Sequence, residues 1–378
     1  MATVHPLSEP ISDHLMHIPD QASSAATTIR QAVIRCPDYQ YSPFDATIKL
    51  DQNESPDDFP QELKDLACEA IRSCAWHRYP DLHAERIRAA ISDFEDWPAD
   101  GIVVTPGSNV LIHLATQLAG MGRAMVTVSP HFAMYAMSAA ILDADIEEVP
   151  LGSDLAFDAD AVIDALGRKR AARRGGVLFL TQPHSPSGML VPKNDLEAVV
   201  DHAHGYLTIL DEAYHQFAGT DLRDMARGNP GVAVLRTFSK AWGLAGIRLG
   251  YLLASCEVAR QLRKTVFPFC ASALQAAVVK TALDHPAYVS ARVALIAAER
   301  ERLLHALRRH PSWQPFPSHA NFILVRTPNA EQAHLHLLGR GILVRRQDHC
   351  PALAGCIRVT VGTPAENDAF LEAAAAAG

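Results

Sequence analysis

Between residues 101 and 253 the chain repeats one pattern: a short unbroken apolar run, a turn, then an amphipathic stretch. The apolar runs fall at 102–105, 124–128, 176–181, 206–210, 232–235 and 249–253, and helical patterns at 108–119, 159–168 and 195–204 lie between several of them. A strand that is apolar along its whole length has both faces covered. The pattern therefore predicts an α/β unit, a mostly parallel sheet of about seven strands lying between helices. In such sheets ligands sit beyond the carboxyl ends of the strands. The polar residues that follow each run are the first candidates for chemistry.

At 378 residues the chain is long enough for two domains. Residues 1–45 read as an irregular arm rich in serine, proline and polar residues, and helical patterns follow at 60–75 and 83–93. A long amphipathic helix over 286–310, its charges reading as a solvated face, leads into a second, smaller α/β unit. That unit comprises strand-like runs at 321–325, 342–344 and 357–361, a helix over 330–338 and a final alanine-rich helix. The expected division is an arm at 1–45, a large domain at 46–285 whose first residues can pack with the small one, and a small domain at 286–378. The formal net charge of −8 argues against broad nucleic-acid binding. No apolar stretch is long enough to span a bilayer, and the N-terminus lacks the basic start and apolar run of a signal peptide. The seven cysteines form no Cys-x-x-Cys pair, so neither a disulfide framework nor a metal site is expected, and a reducing cytoplasm is.

The segment after 232–235 carries the sharpest signal. It places Lys240 at a strand end just after small hydroxyls, Thr237 and Ser239, with Arg248 beyond a glycine-rich bend. An amine in an apolar pocket loses its proton more easily than one in water, and can condense with an aldehyde. Hydroxyls and an arginine beside it suit a phosphate. A phosphate-bearing aldehyde held by lysine describes pyridoxal 5'-phosphate; a plain surface lysine is the alternative. The run at 206–210 ends in Asp211-Glu-Ala-Tyr214, where Asp211 can pair with a pyridinium nitrogen and Tyr214 can reach a ring oxygen, or the acids merely cap a loop. The run at 102–105 leads to Ser108 and Asn109, a helix start that offers N–H groups to an anion or is simply capped by Ser108. Phe132, just past 124–128, can stack on a flat ring or belong to the core. After 176–181 comes a rigid Gln182-Pro-His-Ser-Pro-Ser-Gly188 turn.

Taken in order, these segments resemble the fold-type I pyridoxal-phosphate aminotransferases, nearest to the histidinol-phosphate aminotransferase branch. The likeness runs from about Leu50 to Thr363 and includes Leu50-Asp-Gln-Asn-Glu-Ser-Pro56, His77-Arg-Tyr-Pro-Asp81, Asn321-Phe322, Gly341-Ile-Leu-Val-Arg345 and Gly355-Cys-Ile-Arg-Val-Thr-Val-Gly-Thr363. It implies an aspartate aminotransferase-like fold, amino and keto acids as small-molecule substrates, and a homodimer. It also implies roles. Lys240 would hold the cofactor as a Schiff base and move a proton at the substrate Cα. Asp211 would face the ring nitrogen, Tyr214 the ring oxygen and Phe132 the ring plane. Ser108, Asn109, Ser239 and Arg248 would bind the cofactor phosphate, joined by Tyr79 from the neighbouring subunit. Arg358 would take the acidic group of the substrate, with Arg345 nearby and Asn53 in the substrate-side loop. Tyr39 and Tyr41 are candidates for a substrate-contacting tyrosine of the arm. One departure stands out: Ser185 occupies the place of the family's asparagine in the Asn-Pro-Thr-Gly turn, a donor to the ring oxygen. Ordinary transamination, a specialised pyridoxal-phosphate reaction (decarboxylation, elimination, cyclisation or oxidation) and a non-catalytic binding role all remain open on these residues.

Overall fold

The computed structural model describes residues 28–39, 44–173 and 175–377. A three-residue strand, β1 (Ile48–Leu50), precedes two helices, Gln61–Arg72 and Glu85–Glu95. Then come β2 (Ile102–Thr105), β3 (Ala124–Ser129), β4 (Asp145–Pro150), β5 (Gly176–Thr181), β6 (Tyr206–Asp211), β7 (Val232–Thr237) and β8 (Gly250–Leu253), which form one sheet in the order β2-β8-β7-β6-β5-β3-β4. From β7 through β4 every neighbouring pair is parallel, while β8 runs antiparallel to both β7 and β2. Strands β2, β5, β6, β7 and β8 are buried at every residue, as continuous apolar runs require. Alternate side chains feed opposite cores: along β5, Val177 and Phe179 face one, Leu178 and Leu180 the other.

A second, five-stranded sheet follows, built from β9 (Gln314–Pro315), β10 (Phe322–Arg326), β11 (Ile342–Arg346) and β12 (Cys356–Thr360) together with β1, in the order β1-β11-β12-β10-β9. β1 pairs parallel with β11 across nearly three hundred residues of sequence, Leu50 opposite Val344. That pairing carries the segment after Leu50 to the seam between the two sheets.

Several elements depart from the sequence expectations. The arm is not wholly irregular: Gln31–Arg35 is a short helix, and the neighbouring Arg30 donates to the Ile141 carbonyl at 2.7 Å and to Asp143 at 2.6 Å. β4 went unrecognised because an edge strand half-open to water tolerates the acids of Asp-Ile-Glu-Glu-Val-Pro. The helix Met134–Ile141 follows Phe132 at once, and helices Cys256–Arg263 and Ala273–Asp284 start at Ser255 and Ser272, whose side chains accept from the third helical N–H. In the long helix Ala287–Leu307 the charges are not all solvated. Arg292 reaches inward to the Asp58 carbonyl at 2.6 Å, and Arg300 to the Phe217 and Ala320 carbonyls at 3.3 and 3.2 Å. An arginine stem is long enough to lie among apolar residues while its head satisfies carbonyls that lack partners.

Candidate active site

β7 ends in a buried clamp. Phe238 packs against Trp242 and Tyr251 with ring centroids 5.2 and 5.3 Å apart, and the Ser239 N–H donates to Thr237 Oγ1 at 3.1 Å. The chain so fixed delivers Lys240 into a cavity of about 500 Å³ beyond the carboxyl ends of the strands. There its Nζ donates to the Gln52 carbonyl at 2.9 Å. Burial first, then Arg358, lowers the amine to about 7, against an opposing pull from Glu54.

Arg248 lies beside it, with left-handed φ of 57°, donating to the Ala245 carbonyl at 3.1 Å and near Ser239 Oγ at 3.4 Å. Two glycines make the space. A Cβ on Gly107 would stand 2.4 Å from Arg248 Nη2, and one on Gly250 would stand 2.4 Å from the Ser108 nitrogen. The helix Ser108–Ala115 therefore begins against the guanidinium. Its N-cap is Gly107, which has no side chain to bond the first N–H groups, so Ser108 is not the cap. Ser108, Asn109, Thr237, Ser239 and Arg248 all line the cavity.

β6 ends in Asp211, which accepts from Tyr135 Oη at 2.7 Å and from the Ala213 N–H at 3.1 Å. Burial raises its carboxyl to about 6, against those two donors. Tyr135 also pairs with Thr181 Oγ1 at 2.8 Å and stacks on Phe179 at 4.7 Å. Tyr214 accepts from Asn53 Nδ2 at 3.0 Å, and burial raises its phenol above the usual range, which keeps it a donor. Phe132 and Ser185 line the same cavity. His184 turns away from it: its Nδ1 pairs with Ser187 Oγ at 2.8 Å and its Nε2 with the Pro130 carbonyl at 3.0 Å.

The smaller sheet supplies the other wall. Arg345 on β11 and Arg358 on β12 are directly opposed residues, and both line the cavity. Arg358 Nη2 donates to the Asp51 carbonyl at 3.0 Å, while its buried Nε has no hydrogen-bond partner among the described residues. Tyr39 lies under Arg345, 5.8 Å from the guanidinium carbon to the ring centre, and also lines the cavity. Tyr41 lies outside the described residues. Tyr79 does not line the cavity. It is 83% exposed and stacks on Phe269 at 4.8 Å.

The structure adds residues that the sequence reading passed over: Tyr135, Thr181, Gln52, Glu54, Gln347 and His349. Tyr135 had a signal, since it stands one helical turn beyond Phe132; Gln52 and Glu54 flank Asn53, and the others carry no pattern of their own.

These groups fit pyridoxal phosphate. An uncapped helix start, a guanidinium and hydroxyls suit its phosphate. A buried carboxylate that accepts from one phenol and one N–H suits a cationic ring nitrogen. An amine near neutrality suits its aldehyde.

Comparison with known proteins agrees. The model of the family "Aminotransferase class I and II" matches residues 45–373. The histidinol-phosphate aminotransferase of Deinococcus radiodurans is 49% identical, over 91% of this chain and 95% of that protein. The histidinol-phosphate aminotransferase of Thermococcus kodakarensis is 39% identical, over 86% of this chain and 91% of that protein. Among solved structures, the histidinol-phosphate aminotransferase of Sinorhizobium meliloti in complex with pyridoxal-5'-phosphate aligns with a TM-score of 0.80 at 24% identity. That alignment covers 88% of this chain and 90% of the other, and speaks for the fold.

Proposed function

The chain belongs to the class I and II aminotransferases and transfers amino groups between small amino and keto substrates with pyridoxal phosphate, and from that premise we propose that its amino donor is histidinol phosphate. The observation that carries this reading is the pair of opposed arginines. Like charges directly across an antiparallel pair repel. A phosphate dianion between Arg345 and Arg358 offsets that repulsion, whereas a carboxylate needs only one guanidinium fork. The name borne by the Deinococcus and Thermococcus relatives supports the same donor.

The roles follow from position. When bound, the cofactor supplies an electron sink for the charge left at the substrate Cα. With pyridoxal phosphate bound, Lys240, its amine brought near neutrality by burial, would take up and give back the substrate Cα proton. Asp211, held by Tyr135, would keep the ring nitrogen protonated, and Tyr214 would donate to the ring oxygen. Ser108, Asn109, Thr237, Ser239 and Arg248, which line the cavity, would hold the cofactor phosphate, and Phe132 would lie against the ring. Arg358, with Arg345, fixes the donor so that its Cα–H bond faces the lysine.

We assign the working form to a homodimer in which Tyr79 reaches the neighbouring subunit's cofactor phosphate. Tyr79 is exposed, as are Trp76 and Phe267, close in sequence to Tyr79 and to its stacking partner Phe269, at 73% and 81%, and large exposed aromatics are surface of the kind that a protein interface covers. The cytoplasm is the compartment we propose, since all seven cysteines are free thiols. Among the described residues no helix is long and apolar enough to cross a membrane.

The test is an amino balance. Purified protein given histidinol phosphate and a 2-oxo acid is expected to form keto product and amino acid in equal amounts. Consumption of an amino acid without an equivalent amino acceptor would favour a specialised pyridoxal-phosphate reaction, the reading that Ser185 in the turn supports.

A further inference from the structure

Three consecutive residues each hold one of the side chains just assigned. The Asp51 carbonyl accepts from Arg358 at 3.0 Å, the Gln52 carbonyl from Lys240 at 2.9 Å, and the Asn53 amide donates to Tyr214 at 3.0 Å. This strap leaves β1 and so belongs with the smaller sheet, whereas Tyr214 and Lys240 follow strands of the larger.

Asn53 is 1% exposed, and its backbone is left-handed with φ of 54°. Asn321 Nδ2 donates to its carbonyl at 3.0 Å. Its own N–H donates to Thr360 Oγ1 at 2.9 Å. The Thr360 hydroxyl, used there as an acceptor, turns its hydrogen to Asn53 Oδ1 at 3.3 Å. With Oδ1 so taken, the NH2 end of the amide faces Tyr214. A phenol oxygen that accepts from an amide directs its own hydrogen elsewhere, and donation into it makes it a stronger donor. Tyr214 lines the cavity, so the hydrogen on this oxygen is left to turn toward whatever the cavity holds.

We propose that Asn53 is a positioning residue: it aims the Tyr214 O–H at the cofactor's ring oxygen and strengthens it as a donor, from a strap that also anchors Arg358. The inference rests on the cofactor reading given above. Donation to the ring oxygen favours the deprotonated Schiff base, so weakening it raises the pH at which the bound cofactor's visible absorbance titrates.

The experiment is a pH titration of that absorbance in the holoenzyme. Asn53→Gly removes the amide while tolerating the left-handed backbone. Asn53→Asp keeps the shape and replaces a donor by an acceptor. Each is expected to raise the midpoint by about 0.5 to 1 pH unit, the worth of one hydrogen bond. If Asn53 acts through Tyr214, the same changes made on top of Tyr214→Phe move the midpoint no further. Ser185→Asn, which adds an amide donor at the cavity wall, is expected to bring the midpoint of Asn53→Gly back down. Equal midpoints in all variants, or an undiminished shift in the Tyr214→Phe background, would overturn the inference while leaving the cofactor reading intact. A protein with no visible band at any pH would sink both.

Discussion

Lys240 shows how far a fold can move one side chain from its behaviour in water. Its amine sits against a carbonyl inside a cavity whose other cations are Arg248, Arg345 and Arg358, and burial brings it to about 7. Below that pH it is protonated and inert; above it, the free amine is the nucleophile. In cofactor-free protein, reductive methylation of Lys240 followed by peptide mass analysis is expected to rise with pH about a midpoint near 7. A midpoint above 9, as for lysines in water, would refute the burial argument. Asp211 is held in the opposite sense, since burial raises it to about 6 and the Tyr135 hydrogen bond restrains that rise. Tyr135→Phe removes the restraint and pushes the carboxyl further up, away from the anion that a ring N–H requires. The cofactor dissociation constant, read by fluorescence titration at pH 7.5, is expected to rise about tenfold, the lower end for a hydrogen bond to a charged group.

Elements carry these residues, and their junctions hold more energy than their surfaces. Behind the cavity, Arg236 of β7 donates to Glu212 at 2.6 and 2.9 Å, to Glu95 at the end of helix Glu85–Glu95 at 2.5 Å, and to Asp221 at 2.9 Å. Arg236, Glu95 and Glu212 are almost wholly buried. Removing the cation takes the salt-bridge partner from buried Glu212, while Glu95 keeps Arg223 at 3.2 Å, so Arg236→Ala is expected to cost about 3–5 kcal/mol in urea denaturation. Arg302→Ala, which breaks half-exposed pairs with Glu299 and Asp368, is expected to cost about 1 kcal/mol or less. Equal losses would contradict the weight given to burial. Gly107 tests the junction of β2 with the helix Ser108–Ala115. Its φ of 89° strains any side chain there, and a Cβ 2.4 Å from Arg248 Nη2 forces the guanidinium to move. Gly107→Ala is expected to weaken cofactor binding at least tenfold by displacing the guanidinium. Gly167→Ala, in open space on the helix Ala159–Arg173, is the control, with a gain of about 0.5–1 kcal/mol.

At the scale of the molecule, the active cavity is a seam: the large sheet brings Lys240, Asp211, Tyr214 and Arg248, and the small sheet brings Arg345, Arg358 and, through β1, Asn53. If Tyr79 completes the neighbour's site, two defective subunits can repair each other. Mixing Lys240→Ala with Tyr79→Ala chains gives hybrids with one intact site and one doubly damaged site. Activity after refolding the mixture is expected to exceed both parents and approach about a quarter of the native value; no gain on mixing would remove Tyr79 from the site. Much of this molecule is legible in the order of its residues. The buried strands announce themselves because a strand covered on both faces must be apolar throughout, and the groups at their ends are local, as with Ser239, Lys240 and Arg248 around one bend. What escapes is what depends on distant segments meeting. β1 is too short to carry a period, and β4 is an edge whose charges mask it. Tyr135 finds Asp211, Asn53 finds Tyr214, Gln52 finds Lys240 and Asp51 finds Arg358 across 76, 161, 188 and 307 residues respectively. The chain alone determined which chemical groups stand at the strand ends, because backbone periodicity is a local property. Only the packing of one sheet against the other decided which of them touch, because a contact between remote segments is a property of the whole fold.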